Sequence, residues 1–87
     1  MDVKLMVAWN IRRLRVAKGI SQDDLALEAE IERSYVGHLE RGKKNPTVET
    51  LEKIARALNC TVAEFFSEVP EDANQLAPLK AGRRPLR

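Results

Sequence analysis

Between Leu25 and Val36 two short helical patterns meet with almost nothing between them, and this joint limits the fold more than any other feature of the chain. The stretch reads SQDDLALEAEIERSYVGHLERG, Ser21 to Gly42. Leu25 and Ala26, with Ala29 a turn later, give the first pattern an inward side, and Val36 and Leu39 do so for the second. The first helix ends near Glu28 or Ala29 and the next covers about Glu32 to Arg41, so the connection is three or four residues long. Two helices joined this tightly pack as a corner. A close crossing needs a small side chain at the contact, which Ala26 supplies, while Ile31 and Val36 fill the angle.

The rest of the chain is punctuated in the same way. Val7, Ile11 and Leu14, with Ala8 beside them, make the buried stripe of a first helix from about Val3 to Lys18, and Gly19 offers it a left-handed stop. Ser21 can cap the second helix, with Asp24 in the capping-box position. Gly42 ends the third, and Pro46 keeps Asn45 out of a helix. Thr47 opens a fourth helix with the stripe Leu51, Ile54, Ala55 and Leu58, and Asn59 can end it. Thr61 to Glu64 read as a T-x-x-E capping box for a short fifth helix whose apolar residues are Val62, Phe65 and Phe66. No segment alternates as a strand does. The expectation is an all-α domain of five helices over residues 1–66. Residues 67–87 hold three of the four prolines and no clear stripe, and read as a loosely ordered tail, basic toward its end.

Composition then removes whole classes of function. At 87 residues there is room for one small domain. No apolar run approaches a membrane span, and MDVKLMVAWN lacks the core of a signal peptide. Cys60 is alone, which excludes an internal disulfide and a thiol cluster for a metal, and leaves a small buried filler in a reducing, cytoplasmic setting. One His, one Cys, no glycine-rich phosphate loop and no paired ligands argue against an enzyme, a metal or a cofactor. The net charge of +2 is too small to indicate nucleic acid unless the cations are placed together.

They are placed together on the third helix, where Arg33, Ser34, His38 and Arg41 fall on one side, with Lys43, Lys44 and Asn45 just beyond. IRRLRVAKGISQDDLALEAEI, SYVGHLERGKKNPTVETLEKIARALN and TVAEFF, in this order and spacing, resemble the phage-repressor/Cro-type (XRE-like) helix-turn-helix family over roughly Val7 to Phe66. The resemblance implies a five-helix, lambda-repressor-like domain that binds double-stranded operator DNA as a two-fold homodimer. It puts the third helix in the major groove, with Arg33 and Ser34 toward the bases and His38 one turn on. Arg33 can give guanine O6 and N7 two donors. Ser34 reads weakly, and His38 is either a base or phosphate contact or a solvated residue.

The resemblance further implies that Gln22 bonds a phosphate and braces the residue at the position of Arg33. Arg41, Lys43, Lys44 and Asn45 would touch the DNA backbone, giving affinity rather than sequence reading. Tyr35 either puts its hydroxyl on a phosphate or packs on the domain. Arg15 and Glu40 match a partly buried ion pair between helices one and three. Leu58, Val62, Phe65 and Phe66 exceed what one small core needs and are the expected dimer interface, Phe66 above all. Two departures stand out: Glu30 occupies the turn where relatives often carry Gly, and Glu32 stands where they often carry Ser or Thr. With no ligand-binding domain, the expected role is a small stand-alone repressor or controller. An antitoxin or a protein-binding module of the same fold is the alternative.

Overall fold

In the computed structural model, which describes residues 2–71, three of the four α-helices begin at a side-chain cap and all four end where the backbone folds back on the last turn. The order is α1 (Val3–Lys18), α2 (Gln22–Ala29), α3 (Arg33–Glu40), α4 (Val48–Leu58) and a short 3-10 helix, η1 (Val62–Phe66). Asp2, Ser21 and Thr47 cap α1, α2 and α4 by accepting the backbone N–H three residues on. Ser21 and Asp24 form the complete capping box.

The helix ends share one device. Past each α-helix a residue turns left-handed and two backbone N–H groups fold back onto the last turn. At α1 they are Gly19 to Val16 O and Ile20 to Arg15 O, and at α3 Gly42 to Leu39 O and Lys43 to His38 O. At α2 and α4 the left-handed residues are Glu30 (φ 60) and Asn59 (φ 57). Asn tolerates that region through its short polar side chain, whereas Glu bears the steric penalty of roughly 1 kcal/mol. The Leu5 side chain of α1 lies against Gly42 and would have to shift to admit a Cβ there.

The core lies between these elements. The wholly buried side chains include Phe65, Ile11, Leu25, Leu39, Ile54 and Val36, so every helix contributes. α1 packs chiefly on η1, and α2 packs on both α3 and α4, with buried Ala26 near the crossing. Leu14 of the expected first stripe is only partly buried against this cluster. No strand occurs among the described residues.

The last element departs from expectation. Val62–Phe66 is a 3-10 helix, and Thr61 makes no side-chain cap bond. The tighter i→i+3 turn brings the Glu64 N–H onto the Thr61 carbonyl at 3.1 Å, so the donor that a capping-box hydroxyl would accept is already taken. What holds η1 is Asn10, a fully buried polar residue on α1. Its Nδ2 shares two hydrogens among Phe65 O (3.1 Å), Ser67 O (2.9 Å) and Met6 O (3.0 Å), while Oδ1 accepts from Arg13. The ordered frame thus extends to Ser67, and most of the expected 67–87 tail lies outside the described residues.

Replacing Asn10 by Leu keeps the branched outline, adds some bulk and removes the donor that Phe65 O and Ser67 O receive from α1. The expected loss is about 2–3 kcal/mol of unfolding free energy, read from urea denaturation. A loss under about 0.5 kcal/mol would show that this clamp is not what holds η1.

Candidate nucleic-acid interface

Behind α3 sits a buried charge cluster. Glu40, on the last turn of α3, has a side chain only 3% exposed, and its Oε2 lies 2.6 Å from Arg15 Nε of α1. Oε1 accepts from Arg15 Nη2 and from Gln22 Nε2, each at 3.0 Å. Arg15 Nη1 donates to Ile20 O at 2.8 Å, which ties in the α1–α2 link. Three donors on one carboxylate, two from a planar fork, offset its removal from water.

In front, α3 exposes Arg33, Ser34 and His38, with Arg41 at its end, while Val36 and Leu39 face the core. Ser34, His38 and Arg41 stand at i, i+4 and i+7, a single row. His38 Nδ1 is 2.7 Å from Ser34 O. A carbonyl only accepts, so Nδ1 carries the hydrogen and Nε2 is turned outward, an acceptor when the ring is neutral and a donor when it is charged. Past the row, Lys43, Lys44 and Asn45 are exposed. Lys44 Nζ lies 5.6 Å over the Tyr35 ring, which is itself half-buried against the core.

Several site residues stand elsewhere than expected. Gln22 does not brace Arg33: its amide is taken by Glu40, and Asp23 approaches Arg33 instead, at 3.4 Å. The reason is reach, because the buried carboxylate of Glu40 has an acceptor left over and Gln22 is the donor beside it. Phe65 (0% exposed) belongs wholly to the core, and Leu58 (7%) leaves little surface for a partner. Neighbouring residues on a tight helix point apart, so burying Phe65 turns Phe66 outward, 45% exposed. Val62 is partly buried against the core.

Asn10 and Gly37 were not foreseen. The signal for Asn10 was its position three residues after Val7, inside the apolar stripe. A Cβ on Gly37 would meet Arg41 Nη1 at 3.5 Å and Gln22 Oε1 at 3.6 Å, ordinary contact distances, so these two side chains close over the glycine. Cys60 is half-buried, and burial, helped by the nearby Glu64 carboxylate and opposed by Arg13, pushes its thiol above the ordinary range. That keeps it protonated and unreactive at neutral pH. Glu28, Glu30 and Glu32 are all exposed, and no helix among the described residues is long and apolar enough to cross a membrane.

Residues 11–65 match the family model described as helix-turn-helix. An uncharacterized HTH-type transcriptional regulator, y4dJ of Sinorhizobium fredii, is 37% identical over 71 residues, covering 82% of this chain and 92% of that protein. The crystal structure of the restriction-modification controller protein C.AhdI from Aeromonas hydrophila is similar at a TM-score of 0.71 and 40% identity, over 72% of this chain and 96% of that one. The controller protein C.Esp1396I, solved as a tetramer in complex with its natural 35 base-pair operator, is 32% identical with a TM-score of 0.70, over 76% and 87% of the two chains.

The charge cluster makes a test by mutant cycle. Arg15→Met alone leaves the Glu40 carboxylate buried and unpaired, with an expected cost of about 3 kcal/mol or more. Arg15→Met with Glu40→Leu removes both charges and should cost less than Arg15→Met alone. Chemical denaturation of the variants decides it, and simple additivity of the two changes would mean the pair is not coupled.

Proposed function

The chain belongs to the XRE-like helix-turn-helix family, and on that premise we propose that it is a sequence-specific DNA-binding transcriptional regulator, a small repressor or controller acting as a homodimer in the cytoplasm. The observation that carries the reading is the exposed row on α3, cationic and polar, held from behind by a buried ion pair and rimmed by Lys43 and Lys44. A helix so presented fits the major groove. Arg33 reads guanine, Ser34 and His38 adjust the reading, and Arg41, Lys43, Lys44, Asn45, Gln22 and Tyr35 hold the sugar-phosphate backbone.

Each role follows from chemistry. Arg33 is exposed and carries five donors in a rigid fork, which suits two acceptors on one base edge. With Nδ1 committed to Ser34 O, a neutral His38 offers Nε2 as an acceptor, complementary to an exocyclic amino group of adenine or cytosine. Lys43 and Lys44 act as point charges, so they add affinity and salt dependence without sequence preference. Gln22 has a free carbonyl oxygen and a second amide hydrogen after serving Glu40, and the latter is what it gives to a phosphate. Phe66, the exposed aromatic next to the buried Phe65, is the apolar contact to a second copy, with Val62 at the other end of η1.

Selection of bound sequences from random duplexes tests the reading. It should return two related half-sites whose centres lie about 34 Å apart, one turn of DNA. Arg33→Ala should lose roughly tenfold to a hundredfold of discrimination at one guanine. No enrichment of any sequence would defeat the proposal. Affinity should also fall steeply with salt, as counterion release requires, and a salt-independent association would instead indicate a protein-binding module.

The dimer has its own test. Phe66→Glu should sediment as a monomer and lose cooperative binding to the paired half-sites, while its helical circular dichroism is retained. A dimer of unchanged strength would move the interface away from η1.

A further inference from the structure

Two aspartates occupy the first turn of α2, and they have different tasks. Asp24 closes the capping box with Ser21. Asp23 caps nothing. Its Oδ1 lies 3.4 Å from Arg33 Nε and its Oδ2 lies 3.4 Å from Arg33 Nη1, across the corner between α2 and α3. Gln22, the residue before it, is committed to Glu40. We infer that Asp23 is a specificity-determining positioning residue, which directs the Arg33 guanidinium toward base edges and away from phosphates. The inference rests on Arg33 reading a base, as proposed above.

The geometry leaves Arg33 able to do both things at once. A guanidinium has five N–H donors, and Asp23 accepts a hydrogen bond from Nη1 while its other oxygen lies within ion-pair distance of Nε. Nη2 and the second hydrogen of Nη1 remain at the far end of the fork, the pair that guanine O6 and N7 require. A side chain already held in place has less rotamer freedom to lose when it meets the base.

Charge supplies the selectivity. Phosphate oxygens compete with base edges for any arginine at the rim of a groove, and they carry no sequence information. The N-terminus of α2 is itself attractive to anions through its free N–H groups and dipole. A carboxylate at that end lowers the attraction for phosphate, while the uncharged guanine edge is not repelled. Both side chains are open to water, at 62% for Asp23 and 74% for Arg33, so the contact is a bias rather than a lock. Asp23 therefore lowers overall affinity and raises discrimination, which is specificity obtained by penalising the wrong contact.

The experiment compares the parent with Asp23→Asn, Arg33→Ala and the double variant at one fixed salt concentration. Each is titrated with the selected operator duplex, with the same duplex carrying each other base pair at the guanine assigned to Arg33, and with a non-operator duplex. Asp23→Asn should bind the non-operator duplex about two- to fivefold more tightly and lose a similar factor of discrimination at that base pair. In the Arg33→Ala background the same change should leave discrimination at that pair unaltered, since the side chain it positions is gone. If Asp23→Asn keeps full discrimination while Arg33→Ala loses it, Asp23 has no positioning role. If Arg33→Ala keeps full discrimination, the base-reading assignment itself fails and takes this inference with it, so the single arginine variant tells the two failures apart. Both residues lie on the surface, and equal urea midpoints will establish that folded proteins are being compared.

Discussion

The carboxylate of Glu40 is the point on which the arrangement turns. It sits on the last turn of α3, where the helix dipole disfavours a negative charge, and it is almost sealed from water. Neither condition is tolerable unless strong donors surround it. Arg15 brings two from α1 and Gln22 brings a third from the first turn of α2. Satisfying one buried group thus fixes the placement of three helices relative to one another. The arginine extends the fixation to the α1–α2 link through Ile20 O. A hydrophobic contact in the same place would hold the helices together, yet it would leave them freer to slide, because apolar attraction has no preferred direction. Three hydrogen bonds to one carboxylate do have direction.

The corner between α2 and α3 shows a different balance. Its left-handed residue is Glu30, where Gly or Asn would fit with less strain. The backbone bonds of the turn form nonetheless, Glu30 N to Leu27 O and Ile31 N to Ala26 O. Burial of Ala26, Ala29 and Val36 on either side of the turn outweighs the local penalty, since each belongs to the continuous core. α3 also starts without a side-chain cap, because Glu32 makes none. Local propensity is therefore weakest at the corner, and tertiary packing supplies the difference.

Legibility in the sequence followed the range of the interactions. The starts at Ser21 and Thr47 and the stops at Gly19, Gly42 and Asn59 involve residues within five positions of each other, so residue type alone points to them. The inward stripes were legible because burial repeats with the helical period. Partners far apart in the chain were not. Asn10 and Ser67 are 57 positions apart, and nothing near Asn10 announces that it will clamp the last element. Gln22 and Glu40 are 18 apart, and a glutamine on a helix start has several acceptors to choose from. Phe65 and Phe66 are chemically identical neighbours, so only the rotational phase of η1 against the core decides which enters it. The T-x-x-E pattern at Thr61 was legible but misleading, because it presumes an α-turn and the segment winds more tightly.

The α3 helix has one property that matters to anyone wishing to use it. It is eight residues long, has Gly37 at its middle and Val36 beside it, and lacks an N-terminal cap bond. A peptide of that length and composition is mostly coil in water, well short of the roughly 12–15 residues at which even favourable sequences become marginally helical. Its helicity is borrowed from α1 and α2, the helices it packs against. The face that it displays is consequently not portable: copied alone onto a synthetic peptide it would lose its shape. To be moved into another protein it needs the arginine of α1, the glutamine of α2 and the carboxylate between them to travel with it.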